Sequence, residues 1–308
     1  MKAIREAYGE ALVELGRVNE NVVVLDADVA SSTRSILFKN AFPERFFNVG
    51  IAEANMTGIA SGMAATGKIP FINTFALFLA LRAADPMRSL VAYSKLNVKI
   101  GGGYGGFSDS YDGASHQSVE DVAIMRSLPN MTVIVVSDEH ETKKAVFAAA
   151  KHEGPVYLRL SRAEIPQIYN EDMMFDIGKG IVNRIGKDVT IIANGYMVTK
   201  ALEAAEVLKS EGIDAEVIDM HTVKPIDMDL ILKSGKKTGR IVTVEEHSIF
   251  GGLGSAVAEV LSKNMPLPME IVGINDVFGE SGDYEDLLKK HGLDKDAIVD
   301  AVKKVMKR

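Results

Sequence analysis

The feature that most constrains the fold is the alternation of short β-branched runs with longer segments of helical periodicity. The spacers between most of these runs are long enough to hold a helix, which is typical of α/β proteins with mostly parallel sheets. The runs are continuously apolar, as expected for strands covered on both faces. The predicted strands are Val22–Leu25, Ile69–Thr74, Val98–Ile100, Thr132–Val136, Pro155–Leu160, Val189–Ala193, Ala215–Ile218, Arg240–Val244 and Glu270–Gly273.

The length of 308 residues favours two domains. The best break is the stretch Ile165–Ile181, which has no clean period and contains Pro166, Gly178 and Gly180. A new strand–helix series begins at Asp188. We therefore predict a first domain at 1–185 and a second, smaller one at 186–308.

Composition excludes several classes of function. The chain has no cysteine, so it has neither a disulfide framework nor a thiolate nucleophile. Its six histidines form no metal-binding pair of the HxxxH type. The net charge of −7 disfavours nucleic acid and anionic membranes as partners. No apolar run reaches the roughly 18 residues of a membrane helix, and the N-terminus lacks a signal-peptide core. We expect a cytoplasmic protein without a metal site of its own.

A glycine-rich stretch, Gly101–Gly106, follows a predicted strand and fits the pattern GxGxxG. A dinucleotide site needs a helix directly after the glycines, but polar loop residues continue to Gly113, so we reject that interpretation. The end of the loop places Asp112, Ser115 and His116 together before a helix. Imidazole is suited to proton exchange near neutral pH, although turn and cap chemistry would also explain these residues.

Two further charged residues, Glu53 and Arg162, are candidates for function. Glu53 falls in the first turn of a helix of about Ala52–Thr66 that is otherwise Ala, Gly, Ile and Met. The helix looks buried, so Glu53 could hold a proton, although a carboxylate there also complements the helix dipole. Arg162 follows a strand end, where it could bind a phosphate or form a surface ion pair.

Together, these segments resemble the C-terminal half of transketolase, a thiamine diphosphate enzyme. The matching segments follow the family's order and span nearly the whole chain. They are Asn48–Thr57 (NVGIAEANMT), Thr74–Phe78 (TFALF), Asp112–Val119 (DGASHQSV), Leu158–Arg162 (LRLSR) and Asp276–Gly282 (DVFGESG). The resemblance implies a pyrimidine-binding α/β domain followed by the smaller transketolase C-terminal α/β domain.

The resemblance also implies a missing half. Full-length transketolases carry an N-terminal domain whose GDG…N motif holds Mg²⁺ and the cofactor's diphosphate, and this sequence has no such motif. The chain therefore resembles the second subunit of a split transketolase. Its partner would be an N-terminal subunit that supplies the metal and the diphosphate contacts. A homodimer of this chain within a heterotetramer is the expected assembly.

The resemblance assigns roles to residues of the cofactor and substrate sites. Glu53 matches the glutamate that hydrogen-bonds N1′ of the aminopyrimidine, Phe78 the ring that stacks on it, and Phe75 a wall of that pocket. Asp112 matches a contact to a substrate hydroxyl. His116 matches a histidine beside the reacting carbonyl that donates a hydrogen bond and moves a proton.

Three further residues align with sugar-phosphate contacts: Arg5, Ser32 and Arg162. The first two matches depend on their spacing to Asp28 in Ala27–Val29. Two positions depart from the family pattern. Tyr104 stands where many transketolases have histidine, and Leu81 replaces an aromatic residue of the pyrimidine pocket.

The implied reaction transfers a two-carbon ketol unit from a ketose phosphate to an aldose phosphate. The nearest alternative is the β subunit of a 2-oxoacid dehydrogenase, which shares the length, the domain order and a matching glutamate. Arg162 and the loop from Asp112 to His116 favour transketolase. A fragment of a 1-deoxyxylulose-phosphate synthase and a non-catalytic scaffold subunit are further alternatives.

Overall fold

The computed structural model describes residues 2–308 and confirms the α/β prediction. Seven of the nine predicted strands form within one residue of their expected ends, whereas the two predicted to end at Ile100 and Val244 continue to Gly103 and Ser248. The strands are β1 Lys2–Ala3, β2 Val22–Asp26, β3 Phe46–Asn48, β4 Ile69–Phe75, β5 Lys99–Gly103, β6 Thr132–Val135, β7 Val156–Arg159, β8 Glu164–Ile165, β9 Ile181–Arg184, β10 Val189–Ala193, β11 Ala215–Asp219, β12 Thr222–Lys224, β13 Ile241–Ser248 and β14 Met269–Ile274.

Helices fill the connections between these strands, as the spacer lengths predict. The helices are α1 Ile4–Val18, α2 Ala30–Thr33, α3 Ile36–Ala41, α4 Glu53–Ala65, α5 Ala76–Arg82, α6 Ala84–Pro86, α7 Asp121–Ser127, α8 Glu139–Lys151, α9 Met197–Ser210, α10 Met228–Thr238, α11 Leu253–Asn264, α12 Tyr284–Lys290 and α13 Lys295–Val305. Between residues 2 and 308, no helix combines the length and the apolar character needed to cross a membrane.

The first sheet has seven strands in the order β12-β6-β7-β5-β4-β2-β3. Its pairs are parallel except for β12, which runs antiparallel to β6. Helices α1 and α8 pack together over one face of this sheet, and the side chains of α4, α5 and α7 pack into the core on the other. In a parallel sheet the carboxyl ends of the strands share one edge, which is where ligands bind.

The second sheet has five strands in the order β14-β13-β10-β11-β9. Strand β9 precedes the predicted domain boundary at 185 yet pairs with β11 of this sheet. Strand β12 follows that boundary yet pairs with β6 of the first sheet. The boundary at 185/186 stays a prediction, since the two sheets exchange strands across it.

The first three residues of the glycine-rich stretch, Gly101 to Gly103, belong to strand β5 and are not part of a loop. A Cβ at Gly101 would lie 2.4 Å from the Tyr8 hydroxyl, and one at Gly102 2.5 Å from the Tyr157 hydroxyl. These glycines are therefore needed for close packing of aromatic side chains against the central strand. The expectation that the loop begins at Gly101 is wrong by these three residues.

Candidate active site

The residues singled out from the sequence gather at the carboxyl edge of the first sheet. Glu53 follows β3, Phe75 ends β4, Tyr104 follows β5 and Arg162 follows β7. Ser32 lies in α2, after β2. A buried Asp26 shapes that turn, because its carboxylate accepts hydrogen bonds from the Val29 amide and from the hydroxyls of Thr33 and Ser35 at 2.6–2.9 Å.

Glu53 is the first residue of α4 and is 4% exposed. The chain enters this helix through Gly50, which has a φ of +74° and whose amide is bound by Asn48. Helix α4 is buried on one face only, since Ala54, Asn55 and Gly62 are exposed. The expectation that the rest of this helix is buried is therefore wrong for its outer face.

Arg82 occupies the space between Glu53 and Phe78. Its Nη1 donates to Glu53 Oε1 at 2.8 Å, and its guanidinium lies 3.7 Å from the centre of the Phe78 ring. Arg82 is 49% exposed, so solvent reaches this ion pair. A planar group thus donates to Glu53 and stacks on Phe78, which are the two contacts that the family resemblance implies for an aminopyrimidine.

Four rings form an aromatic cluster beside this pair: Phe75, Phe78, Tyr104 and His116. Phe75 stacks on Tyr104 with ring centres 4.4 Å apart and on Phe78 at 5.6 Å. His116 presents its edge to Phe75 at 5.9 Å and to Phe78 at 5.3 Å. Its Nδ1 lies 2.9 Å from Ser115 Oγ, which fixes the ring's orientation. Leu81, by contrast, is 52% exposed at the end of α5.

Two arginines flank Tyr104. Arg5 Nη1 donates to the Tyr104 hydroxyl at 2.5 Å and to the Ser32 carbonyl at 3.3 Å, so Ser32 contacts Arg5 through its backbone. The guanidinium groups of Arg5 and Arg162 each lie 5.6 Å from the Tyr104 ring centre. Tyr104 has a φ of +62°, a conformation that places its side chain between them. Guanidinium groups are well suited to bind phosphate oxygens.

The site loop, residues 104–117, carries both predicted substrate contacts, and Asp112 is exposed while His116 is half-buried. Asp109 on the same loop is fully buried, and its Oδ1 lies 3.9 Å from Arg162 Nη1. Burial, together with the charge and hydrogen bonding of Asp112, raises the pKa of Asp109 to about 7 against the opposing charges of Arg162 and Arg5.

A buried ion pair anchors the chain after the loop. Asp121, the first residue of α7, accepts from Arg159 at 2.8 and 3.1 Å and from the Tyr157 hydroxyl at 2.7 Å. Burial alone would raise the pKa of Asp121, but the charge of Arg159 lowers it below its ordinary value. Arg159 also donates to the Ser118 carbonyl, so β7 holds the loop end against the sheet.

The residues fit the aminopyrimidine half of thiamine diphosphate. Glu53 offers a buried carboxyl whose bonded donor is a displaceable, half-exposed arginine, and the aromatic cluster offers a stacking wall. Within residues 2–308, no group of three or more His, Asp or Glu side chains could hold a metal ion.

Comparison with known proteins shows the family of the chain. The family profile of the transketolase pyrimidine-binding domain matches residues 1–167, and that of the transketolase C-terminal domain matches residues 178–298. The chain belongs to the transketolase family.

Within that family the chain is similar to separate C-terminal subunits. It is 50% identical to a putative transketolase C-terminal section of Methanocaldococcus jannaschii, over 100% of this chain and 97% of that protein. A solved split-gene transketolase, an inactive β4 tetramer, shares 53% identity and a TM-score of 0.92 over 99% of this chain and 98% of that one. Human transketolase is 42% identical over 98% of this chain, which spans 48% of the human protein.

Sequence reasoning missed Arg82 and Asp109. Arg82 follows Phe78 by four residues on one helix, a spacing that places two side chains on the same face. That spacing could have indicated the contact. Asp109 precedes Asp112 by three residues, but nothing in the local sequence marks it as buried.

Proposed function

We propose that the chain is the C-terminal subunit of a split transketolase, which transfers a two-carbon ketol unit from a ketose phosphate to an aldose phosphate. The observation that carries the proposal is the buried Glu53 carboxyl beside the stacked rings of Phe75 and Phe78. Sequence similarity to transketolases over nearly the whole chain supports it.

Glu53, Phe75 and Phe78 are the proposed contacts to the pyrimidine ring of thiamine diphosphate. When bound, the cofactor supplies the nucleophilic carbon and the electron sink that ketol transfer needs. Glu53 would exchange a proton with the ring nitrogen through its buried carboxyl group. Phe78 would stack on the ring once Arg82 has moved away from it.

The substrate would lie on the other side of the aromatic cluster. Arg5 and Arg162 are the proposed contacts to its terminal anion, with Ser32 at the edge of this subsite. Asp112 would accept a hydrogen bond from a sugar hydroxyl. His116 would donate to the reacting carbonyl oxygen and carry a proton, since its ring is held by Ser115 and flanked by aromatic rings.

The proposed partner is an N-terminal subunit that holds Mg²⁺ and the diphosphate group. The half-length match to human transketolase supports this division. The assembly that we propose is a homodimer of this chain within a heterotetramer. The location that we propose is the cytoplasm. A relative from Clostridium sp., 44% identical over 99% of this chain, is a 6-deoxy-6-sulfo-D-fructose transketolase subunit, which supports a donor with a terminal anion.

The test is ketol transfer by the chain mixed with its N-terminal subunit, thiamine diphosphate, Mg²⁺, xylulose 5-phosphate and ribose 5-phosphate. Replacing Glu53 by Gln removes the exchangeable proton but keeps the shape. We expect the rate to fall by about 100-fold or more, the usual contribution of a positioned acid or base. The exposed Glu20→Gln is the matched control. An unchanged rate in Glu53→Gln would contradict the catalytic assignment and favour a scaffold subunit.

Turnover of a 2-oxo acid by the same mixture, without ketol transfer, would instead favour the dehydrogenase alternative. The family match disfavours that outcome, because both matched domains are those of transketolase.

A further inference from the structure

We propose that Asp109 is a positioning residue that holds Asp112, the proposed contact to a substrate hydroxyl, by donating a hydrogen bond from its protonated carboxyl. The inference rests on the proposed function, because it requires Asp112 to face the substrate. It adds a second carboxyl to the site and makes the orientation of Asp112 depend on a buried proton.

The backbone places these two carboxyl groups side by side. Asp109 directly precedes a single 3₁₀ turn, Ser110–Asp112, and the Asp112 amide donates to the Asp109 carbonyl at 3.1 Å. In a 3₁₀ turn, residues three apart eclipse each other. The side chains of Asp109 and Asp112 consequently project from the same side of the turn, and Asp112 contributes to the raised pKa of Asp109.

Burial determines which of the two carries the proton. Asp109 is fully buried, and within residues 2–308 neither of its carboxyl oxygens receives a hydrogen bond from an N–H or O–H group. Asp112 is exposed, so water stabilises its charge. Two carboxyl groups can share a hydrogen bond only when one is protonated, and the buried one is the better holder.

Charged groups from two other parts of the fold face Asp109. Arg162, after β7, lies 3.9 Å away, and Arg5 of α1 reaches the same region, while the phenol of Tyr104 lies between the two arginines. The arginines favour the ionised form of Asp109, whereas burial and Asp112 favour the protonated form. The balance brings the pKa of Asp109 to about 7, so the hydrogen bond to Asp112 forms below that pH and is lost above it.

The first test compares Asp109→Asn with Asp109→Ala in the chain assembled with its N-terminal subunit. The Asn amide donates at every pH, and Ala donates at none. Near pH 6 we expect kcat/KM for the donor ketose to be close to wild type in Asp109→Asn. In Asp109→Ala we expect a loss of about tenfold, the usual effect of losing one hydrogen bond to a charged group. Near pH 8.5 the wild type should fall severalfold relative to Asp109→Asn.

The second test needs no turnover. In the full chain with ¹³C-labelled aspartate, a carboxyl resonance should titrate near pH 7 and vanish in Asp109→Asn. Asp219 is the matched control, because burial raises its pKa also to about 7, and its hydrogen-bond partners, Ser137 and Tyr169, lie outside the site loop. Asp219→Asn should leave the Asp109 transition in place. Asp112→Asn should move that transition to lower pH by removing the neighbouring charge.

The two tests separate the inference from the proposed function. Absence of ketol transfer in the wild-type complex would contradict the proposed function, while the titration would still decide on the shared proton. The inference itself is overturned if Asp109 titrates with the exposed aspartates. It is overturned equally if both Asp109 variants keep the wild-type kcat/KM and pH profile.

Discussion

Asp109 and Asp121 lie close together in the chain, both are completely buried, and the fold treats them in opposite ways. Asp121 receives hydrogen bonds from Arg159 and Tyr157, and its pKa is lowered. Asp109 receives none from an N–H or O–H group within residues 2–308, and its pKa is raised. The first carboxylate is part of the framework, whereas the second lies among the residues proposed to bind substrate.

The difference separates a buried carboxylate that stabilises the fold from a buried carboxyl group that can act on neighbouring functional residues. A buried ion pair with all its hydrogen bonds made holds the surrounding fold in place. Removing one of its partners is strongly destabilising, because it leaves the other charge buried without compensation. When a buried carboxyl group receives no hydrogen bonds, burial disfavours its charged form and raises its pKa. Groups with such shifted pKa values are found most often at functional sites. The same segment of the chain contacts both, since Arg159 at the end of β7 pairs with Asp121 and Arg162, three residues later, lies 3.9 Å from Asp109.

The sharpest way to break this contrast is Asp121→Ala. The substitution leaves Arg159 buried without its carboxylate, and we expect a loss of about 3–5 kcal/mol in the free energy of unfolding. Urea denaturation at a fixed chain concentration measures it. Asp109→Asn is the comparison variant, which should keep or raise the stability at pH 8. A loss below about 1 kcal/mol in Asp121→Ala would show that the pair is not a framework element.

Arg162→Ala tests the substrate side of the comparison. We expect KM for a ketose phosphate to rise about tenfold, since one charge-assisted contact to the phosphate is lost, with little change in the free energy of unfolding. Arg162→Lys should recover only part of the affinity, because ammonium lacks the planar fork. The exposed Arg88→Ala serves as control, and an equal rise of KM there would remove Arg162 from the anion subsite.

The pH dependence of stability sharpens the contrast without any assay of turnover. Because the pKa of Asp109 rises on folding from the ordinary 3.8 to about 7, the unfolded chain binds fewer protons in that window. Asp109 therefore lowers the free energy of unfolding progressively as pH rises from about 4 to about 7. Below about pH 4 it has no such effect, because the carboxyl group is protonated in both states. Asp109→Asn should match the wild type at low pH and exceed it above pH 7. Parallel stability curves would contradict this.

The smallest expected effect concerns Arg82. It fills the place where the pyrimidine would stack and bonds the carboxyl that the cofactor needs, so Arg82→Ala should tighten thiamine diphosphate binding. A half-exposed ion pair contributes about 0.2–1 kcal/mol, so we expect affinity to rise by a factor between about 1.4 and about 5, measured by calorimetry. Arg88→Ala is again the control. Weaker binding in Arg82→Ala would instead make Arg82 a cofactor contact.

The predictable part of the fold is the part encoded in local patterns. Continuous apolar runs such as Val22–Leu25 predict strands because burial on both faces requires them. The short edge strands β3 and β12 were not predicted, since their pairing depends on distant partners rather than on their own composition. Likewise, the three glycines within β5 read as a loop because the tyrosines that pack on them lie elsewhere in the chain.

The candidate site shows the same limit. Its individual motifs left structural readings open, and only their joint resemblance to a family singled out Glu53, Phe75 and Phe78. The ion pair of Arg82 and the burial of Asp109 are products of tertiary packing. Tyr104 was recognised as a departure, but its place between two arginines follows from its backbone conformation and from helix α1.

The central claim is that this chain holds one half of an active site. The most direct measurement is ketol transfer from xylulose 5-phosphate to ribose 5-phosphate, with thiamine diphosphate and Mg²⁺, by the purified chain alone, its N-terminal subunit alone and the mixture. We predict transfer in the mixture only, and its loss when the chain carries Glu53→Gln. Substantial transfer by the chain alone, or none in the mixture, would contradict the account.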